Sequence, residues 1–229
     1  MAAEMFSQKE GCAEMLHGVV IDGIDTLEEY GLILLADLSE GEAEPKTELL
    51  DIPGGDGSLD LSESPQGRPV YKMRDISFTL FRAVDSTALE ELRAALARRW
   101  HGREVTLQLP TDAGHYYRGR IRIGSTSGYN SGKIPISMRA QPWKLKNTVT
   151  TVSTAVTESR TVYLENECMP VSPSVSASAP VTISWGTNSV SIDAGDNWSI
   201  PALILEAGIT ELTITGTATV SFTYQEGCL

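Results

Sequence analysis

Pro53-Gly54-Gly55-Asp56-Gly57-Ser58-Leu59-Asp60-Leu61-Ser62 is the segment from which the architecture of this 229-residue chain is read. Pro53 fixes φ, while Gly54, Gly55 and Gly57 permit positive φ. Asp56 can bond its own backbone two residues on, so the five residues spell a tight turn. Leu59-Asp60-Leu61 then alternates as a strand does. A second turn, Ser64-Pro65-Gln66-Gly67, leads into a long strand candidate from Val70 to Phe81. There Met73, Ile76, Phe78 and Leu80 alternate closely enough for a half-buried strand. Upstream, Val19-Val20-Ile21, Gly31 to Ala36 and Thr47 to Ile52 also read as strands. Between them Ser39-Glu40-Gly41-Glu42-Ala43-Glu44-Pro45 is an acidic turn with no basic residue, suited to solvent or to a basic partner.

One helix is expected downstream, over Ser86–Arg99. Asp85-Ser86-Thr87 supplies its N-cap, and Glu90 and Glu91 lie where the helix dipole favours them. Leu89, Leu92 and Leu96 form its apolar stripe, Arg98 and Arg99 sit at its end, and Gly102 stops it. Val105 to Pro110, Tyr116 to Ile123 and Lys133 to Ala140 follow as strands, with Arg118, Arg120 and Arg122 alternating along one face. A single helix between long hairpins is an α+β pattern. After Pro142-Trp143-Lys144-Leu145-Lys146 the composition changes: residues 149–229 hold 24 Ser or Thr and no Lys. Short alternating stretches (Val181–Trp185, Ser189–Ile192, Leu203–Leu205, Thr210–Thr215, Thr219–Tyr224) joined by Gly, Asn and Asp turns predict a β-sandwich. Three segments result: an arm over 1–16, an α+β domain over 17–147 and a sandwich over 148–229.

The turn motif, together with His17-Gly18-Val19-Val20-Ile21-Asp22-Gly23-Ile24-Asp25, Tyr30-Gly31-Leu32 and Tyr71-Lys72-Met73-Arg74-Asp75-Ile76-Ser77-Phe78, resembles the distal tail protein (Dit) of long-tailed, siphovirus-type bacteriophages and prophages. The order and spacing of these motifs cover about the first 145 residues. Glu206 to Ile214 followed by Val220 to Tyr224 resembles the closing strands of the family's galectin-like second domain. The resemblance implies a mainly β protein whose first domain is tail-tube-like and forms a ring of six copies. It implies a virion protein made in the host bacterial cytoplasm, joining the tail tube protein to the tail-tip hub and the host-recognition device. A second domain that carries or braces receptor-binding proteins is also implied. The arm over 1–16 precedes the usual start of the family pattern.

Composition is compatible with this. Hydrophobic content of 41% with 21% charged residues is that of a folded chain rather than a disordered one. No apolar run approaches the roughly 20 residues that span a bilayer, and the first residues lack the basic leader and apolar core of a secretion signal. Cys12, Cys168 and Cys228 form no close pair and predict reduced thiols. The net charge of −12 argues against non-specific nucleic-acid binding. Its distribution is uneven: residues 1–63 carry 2 basic and 16 acidic side chains, 64–148 carry 15 and 6, and 149–229 carry 1 and 8. The basic middle is expected to pair with the acidic beginning, within one domain or across a subunit boundary.

Catalytic patterns are absent from the sequence. Three histidines, none at a metal-like spacing from a cysteine, and no HExxH, CxxC, phosphate-binding loop or Gly-x-Ser-x-Gly leave no basis for an enzyme, a metal or a cofactor. The alternative to a structural role is a carbohydrate-binding or adhesin-like module on the tail tip. Tyr163, Trp185 and Trp198 are its candidate stacking residues, with Asp193, Asp196 and Asn197 as hydrogen-bonding groups.

Overall fold

The computed structural model describes residues 17–63, 67–126 and 132–229. The arm expected over 1–16 and the Ser64-Pro65-Gln66 part of the second turn lie outside the described residues. In chain order the elements begin with β1 (Val20–Ile21), β2 (Ile24–Asp25), α1 (Thr26–Tyr30), β3 (Ile33–Leu34), β4 (Ser39–Glu40), β5 (Leu49–Asp51), β6 (Ser58–Asp60) and β7 (Arg74–Phe81). Next come α2 (Ser86–Trp100), β8 (Glu104–Gln108), β9 (His115–Ile123), β10 (Lys133–Ala140) and β11 (Lys144–Lys146). The remaining strands are β12 (Thr150–Asn166), β13 (Ser174–Ala177), β14 (Val181–Trp185), β15 (Asn188–Ile192), β16 (Gly195–Ser199), β17 (Gly208–Tyr224) and β18 (Gly227–Cys228). The protein is mainly β, with two helices among the described residues.

The first antiparallel sheet runs β2-β1-β8-β9-β10-β7-β3, with β4 pairing the N-terminal half of β7. Its register places Ile76 opposite Met138 and Met138 opposite Ile121, so the inner rows through Ile76, Phe78 and Leu80 are apolar, while the last row carries buried Arg74 opposite Ala140. Helix α2 packs into this core through Leu89, Leu96 and Trp100, all buried beside Ile76, Phe78 and Leu80. Its N-cap forms as the sequence predicts, with Asp85 Oδ1 accepting from the amides of Thr87 (3.0 Å) and Ala88 (2.9 Å). The shorter α1 was not foreseen. Its caps were present, Asp25 accepting from Leu27 at 2.7 Å and Gly31 adopting the left-handed conformation (φ 64°), but five residues hold too little of a helical period to read.

A second antiparallel sheet, ordered β15-β14-β17-β13-β16 with β12 along the other side of β17, curls around its own core. The two layers of the expected sandwich are thus halves of one sheet. β17 joins them: its first half pairs β14, its second half pairs β13, and β12 accompanies it over its full length. Even-numbered residues from Leu212 to Tyr224 face inward, interrupted only at Gly216, so the strand keeps one buried face throughout.

The two cores meet at β11. This strand pairs with β9 (Leu145↔Tyr116, Lys146↔His115) and also with β18 (Lys144↔Cys228, Leu145↔Gly227). The chain therefore returns at its last described strand to the sheet it left near Lys146.

Close packing along β9 depends on Gly119. A Cβ there would lie 2.3 Å from the Arg139 carbonyl oxygen and 2.5 Å from the Ala140 Cα, both backbone atoms of the paired strand. Gly119→Ala must push β9 and β10 apart or bend them. It is expected to cost about 3 kcal/mol, read as a lower midpoint in denaturant unfolding.

Candidate functional site

Hairpin β5–β6 forms a two-stranded sheet of its own, separate from both larger sheets. The Pro53, Gly54, Gly55, Asp56, Gly57 motif is its tip. Gly54 and Gly57 adopt φ of 79° and 78°, which a side chain would strain, and the Gly55 amide closes the turn on the Ile52 carbonyl at 3.0 Å. Register then sorts the side chains by face. Leu50 stands opposite Leu59, and Ile52 follows two residues after Leu50, so these three share one side. Asp51 and Ser58 stand opposite each other on the other side, where the Ser58 hydroxyl donates to Asp51 at 2.6 Å. One side of the ribbon is apolar and uncovered, with Leu50, Ile52 and Leu59 retaining 55%, 51% and 48% of their accessible surface; the other side mixes Asp51, Ser58 and Asp60 with Leu49, itself 63% exposed. Alternation in the sequence foretold the strands but not that both faces would be open.

The ribbon sits at the end of an acidic arm. Gly41 bonds the Asp75 carbonyl, Lys72 the Glu44 carbonyl, Lys46 the Val70 carbonyl and Leu61 the Glu48 carbonyl, so the two chains run side by side from the edge of the first sheet to the hairpin. Elsewhere on that sheet Arg118, Arg120 and Arg122 all face solvent along β9, and Arg139 stands beside Arg120 on β10. Among the described residues one ion pair, Glu44–Lys72 at 3.1 Å, joins the acidic beginning to the basic middle. The acidic arm and the basic sheet face are thus largely unneutralised by each other within the protomer.

Where the arm leaves the sheet, a polar chain anchors it. Tyr117 donates to Glu40 at 2.7 Å and accepts from Arg74 at 3.0 Å, while the Arg74 guanidinium lies 5.4 Å from the Tyr117 ring centre. Burial, reinforced by the Glu40 carboxylate, holds the Tyr117 hydroxyl protonated far above its ordinary range. The trio ties β4, β7 and β9 together.

The junction of the two cores is also polar. Lys146 bridges the Glu226 carboxylate (2.5 Å) and Glu167 (2.9 Å), and Thr150 donates to Glu226 at 2.9 Å. Hydrogen bonds that Lys146 donates to Glu226 and then to Glu167 raise its pKa. On the other flank Asp112 holds His115 Nδ1 at 2.8 Å and Lys144 at 3.2 Å. The His115 hydrogen bond is the main cause of a lowered Asp112 pKa, with Lys144 adding to it.

The three aromatic residues divide between two faces. Tyr163 lies on β12 opposite Glu211 and is 59% exposed on the outer side of the second sheet. Trp185 follows Ile183 on the core side of β14, and Trp198 stands opposite fully buried Val175. Trp185, Trp198 and Asp193 line one cavity of about 450 Å³. Asp196 lies on β16 outside that lining, and the side chain of Asn197 lies outside the described residues. Among the described residues no group of three His, Cys, Asp or Glu is placed to hold a metal, and no helix is long and apolar enough to cross a membrane.

No family model and no curated protein matches the sequence. The structure is similar to the crystal structure of Dit (gp 19.1) of phage SPP1, described as a paradigm of hub adsorption apparatus in phages infecting Gram-positive hosts. The TM-score is 0.64 at 16% identity, and the match covers 91% of this chain and 98% of that one. The chain thus has the distal-tail-protein fold that its motifs resemble.

The Asp112 cluster yields a test of the junction. A carboxyl whose folded pKa is depressed stabilises the fold above its unfolded value, near 3.8, and loses that contribution as pH falls through the lower folded value. Asp112→Asn should therefore be less stable than the parent at neutral pH. The gap should close as the pH is lowered below that value, as read by denaturant unfolding across a pH series.

Proposed function

We propose that this chain is a structural protein of a phage tail tip, built into the virion after synthesis in the host bacterial cytoplasm. Likeness of fold to SPP1 Dit over nearly the whole of both chains is the observation that carries this reading. Residues 17–147 would form the ring, in six copies, between the tail tube protein and the tail-tip hub. Residues 148–229 would lie outside it and brace or carry receptor-binding proteins. The role is assembly rather than catalysis.

Within the chain, hairpin β5–β6 supports the ring. A two-stranded ribbon is marginal in water on its own, and this one presents Leu50, Ile52 and Leu59 to solvent. Covering the exposed halves of three such side chains against a neighbour contributes roughly 2–4 kcal/mol per protomer. In a closed ring each protomer gives one ribbon and receives one, the head-to-tail arrangement that closes by rotation. The acidic arm would meet the basic face of β9 and β10 on the neighbour, which selects partner and register more than it adds affinity.

Leu50→Ser combined with Leu59→Ser should leave the fold intact, because neither side chain touches a core. Ring formation should be lost or shifted to at least tenfold higher concentration, about 1.4 kcal/mol. Light scattering over a concentration series, with negative-stain microscopy of the same samples, reads this. Rings that form equally well from the double variant would overturn the role of the ribbon.

A further inference from the structure

The second sheet curls without closing. β12 takes one side of β17 along its whole length, so β14 with β15 and β13 with β16 lie on the other side; β15 and β16 end these two branches, and residues of both line the same cavity. The cavity is therefore the open seam of a half-barrel. Its volume, about 450 Å³, lies in the range of small-ligand pockets, roughly 300–1,000 Å³. Ile192 and Ile200, buried at 7% and 5% exposure, belong to the core beneath it. Trp198 faces the core side but remains 41% exposed because, among the described residues, no strand lies beyond β16. Gly195 lets the indole lie close: a Cβ there would meet Trp198 Nε1 at 3.1 Å. Trp185 stands at the end of β14 on the same side and lines the same space, with Asn188 and Asp193 beside it.

We propose that this seam binds a neutral saccharide. Indole faces suit the apolar C–H faces of a sugar ring, while an amide and a carboxylate suit its hydroxyls, the combination of broad apolar lining and few directed polar groups that orients such ligands. Charge narrows the class further. Residues 149–229 carry a single basic side chain, Arg160. Its guanidinium donates to the Ala155 carbonyl at 3.1 Å on β12, and it is not part of the seam. A phosphate or uronate would enter next to Asp193 with no cation to meet it, so anionic glycans are excluded on electrostatic grounds. Tyr163, on the opposite face, takes no part.

The full-length protein is titrated with glucose, galactose, N-acetylglucosamine and their short neutral oligomers, and with glucuronic acid and a sugar phosphate for comparison. Tryptophan fluorescence and saturation-transfer NMR report binding. The expected result is binding of at least one neutral sugar, weakened about tenfold or more in Trp198→Ala, unchanged in Tyr163→Ala, and absent for the anionic sugars. Asp193→Asn, which preserves size, provides a second reading of the site should Trp198→Ala unfold, and is expected to weaken the same sugar. No neutral sugar bound at about 10 mM, equal binding by folded Trp198→Ala, or preference for the anionic sugars would each overturn the proposal. A monomer contains the complete seam, so failure here leaves the ring reading untouched, and failure of the ring leaves this site standing.

Discussion

Every β-strand carries hydrogen-bonding capacity on two edges, and the arrangement of this protein follows from how each edge is satisfied. In the first sheet β9 joins three strands. β8 and β10 pair along it on either side, and β11 pairs with its N-terminal end at Tyr116 and His115. β11 then offers its other edge to β18, so a three-residue strand links the first sheet to the last described strand. Long β12 and β17 do the equivalent work in the second half, satisfying each other over 17 residues apiece. Several edges stay open among the described residues, including those of β2 and β3 and the outer side of β12; two further open places are the ribbon β5–β6 and the edges β15 and β16.

Those two places differ in the side chains that accompany the open backbone. On the ribbon, Leu50, Ile52 and Leu59 form a continuous apolar side with no polar group among them, suited to another apolar surface and to the backbone of a second protomer. At the seam, two indoles stand beside an amide and a carboxylate, a mixture poor for strand addition and good for a small hydroxylated ligand. The same deficit, an edge without a neighbour, is thus accompanied by different chemistry at the two places.

How much of this could be read beforehand depended on whether a signal was local. Helix α2 was legible because its cap, stripe and basic end lie within 16 residues. The Pro53–Gly57 turn was legible because glycine and proline act on their own dihedrals. β12 is hard to read from sequence: between Thr157 and Thr161 every side chain is exposed, so alternation vanishes although the strand continues. Gly216 looked like a break between two strands, but β17 passes through it. A Cβ there would meet Val181 Cγ1 at 3.0 Å, so glycine serves the close approach of β14 rather than a turn. Leu203–Leu205 read as a strand through its alternating leucines. Both are buried, yet only Leu205 pairs, in a single bridge to Val171. Burial and pairing produce the same pattern in sequence and cannot be separated there.

The aromatic residues show the remaining limit. Which face of a strand a residue occupies is fixed by register with a partner far along the chain, and a shift of one residue inverts it. Tyr163 and Trp185 were equivalent as aromatic residues in β-prone segments. Pairing of Val162 with Leu212 and of Ile183 with Ile214 sends Tyr163 outward and Trp185 inward. Trp198, across from Val175 on an edge strand, faces inward and is still 41% exposed. Its position depends on the sheet ending at β16. Had another strand of this chain covered that edge, the indole would have been an ordinary core residue, so the failure of the half-barrel to close is what makes the seam accessible.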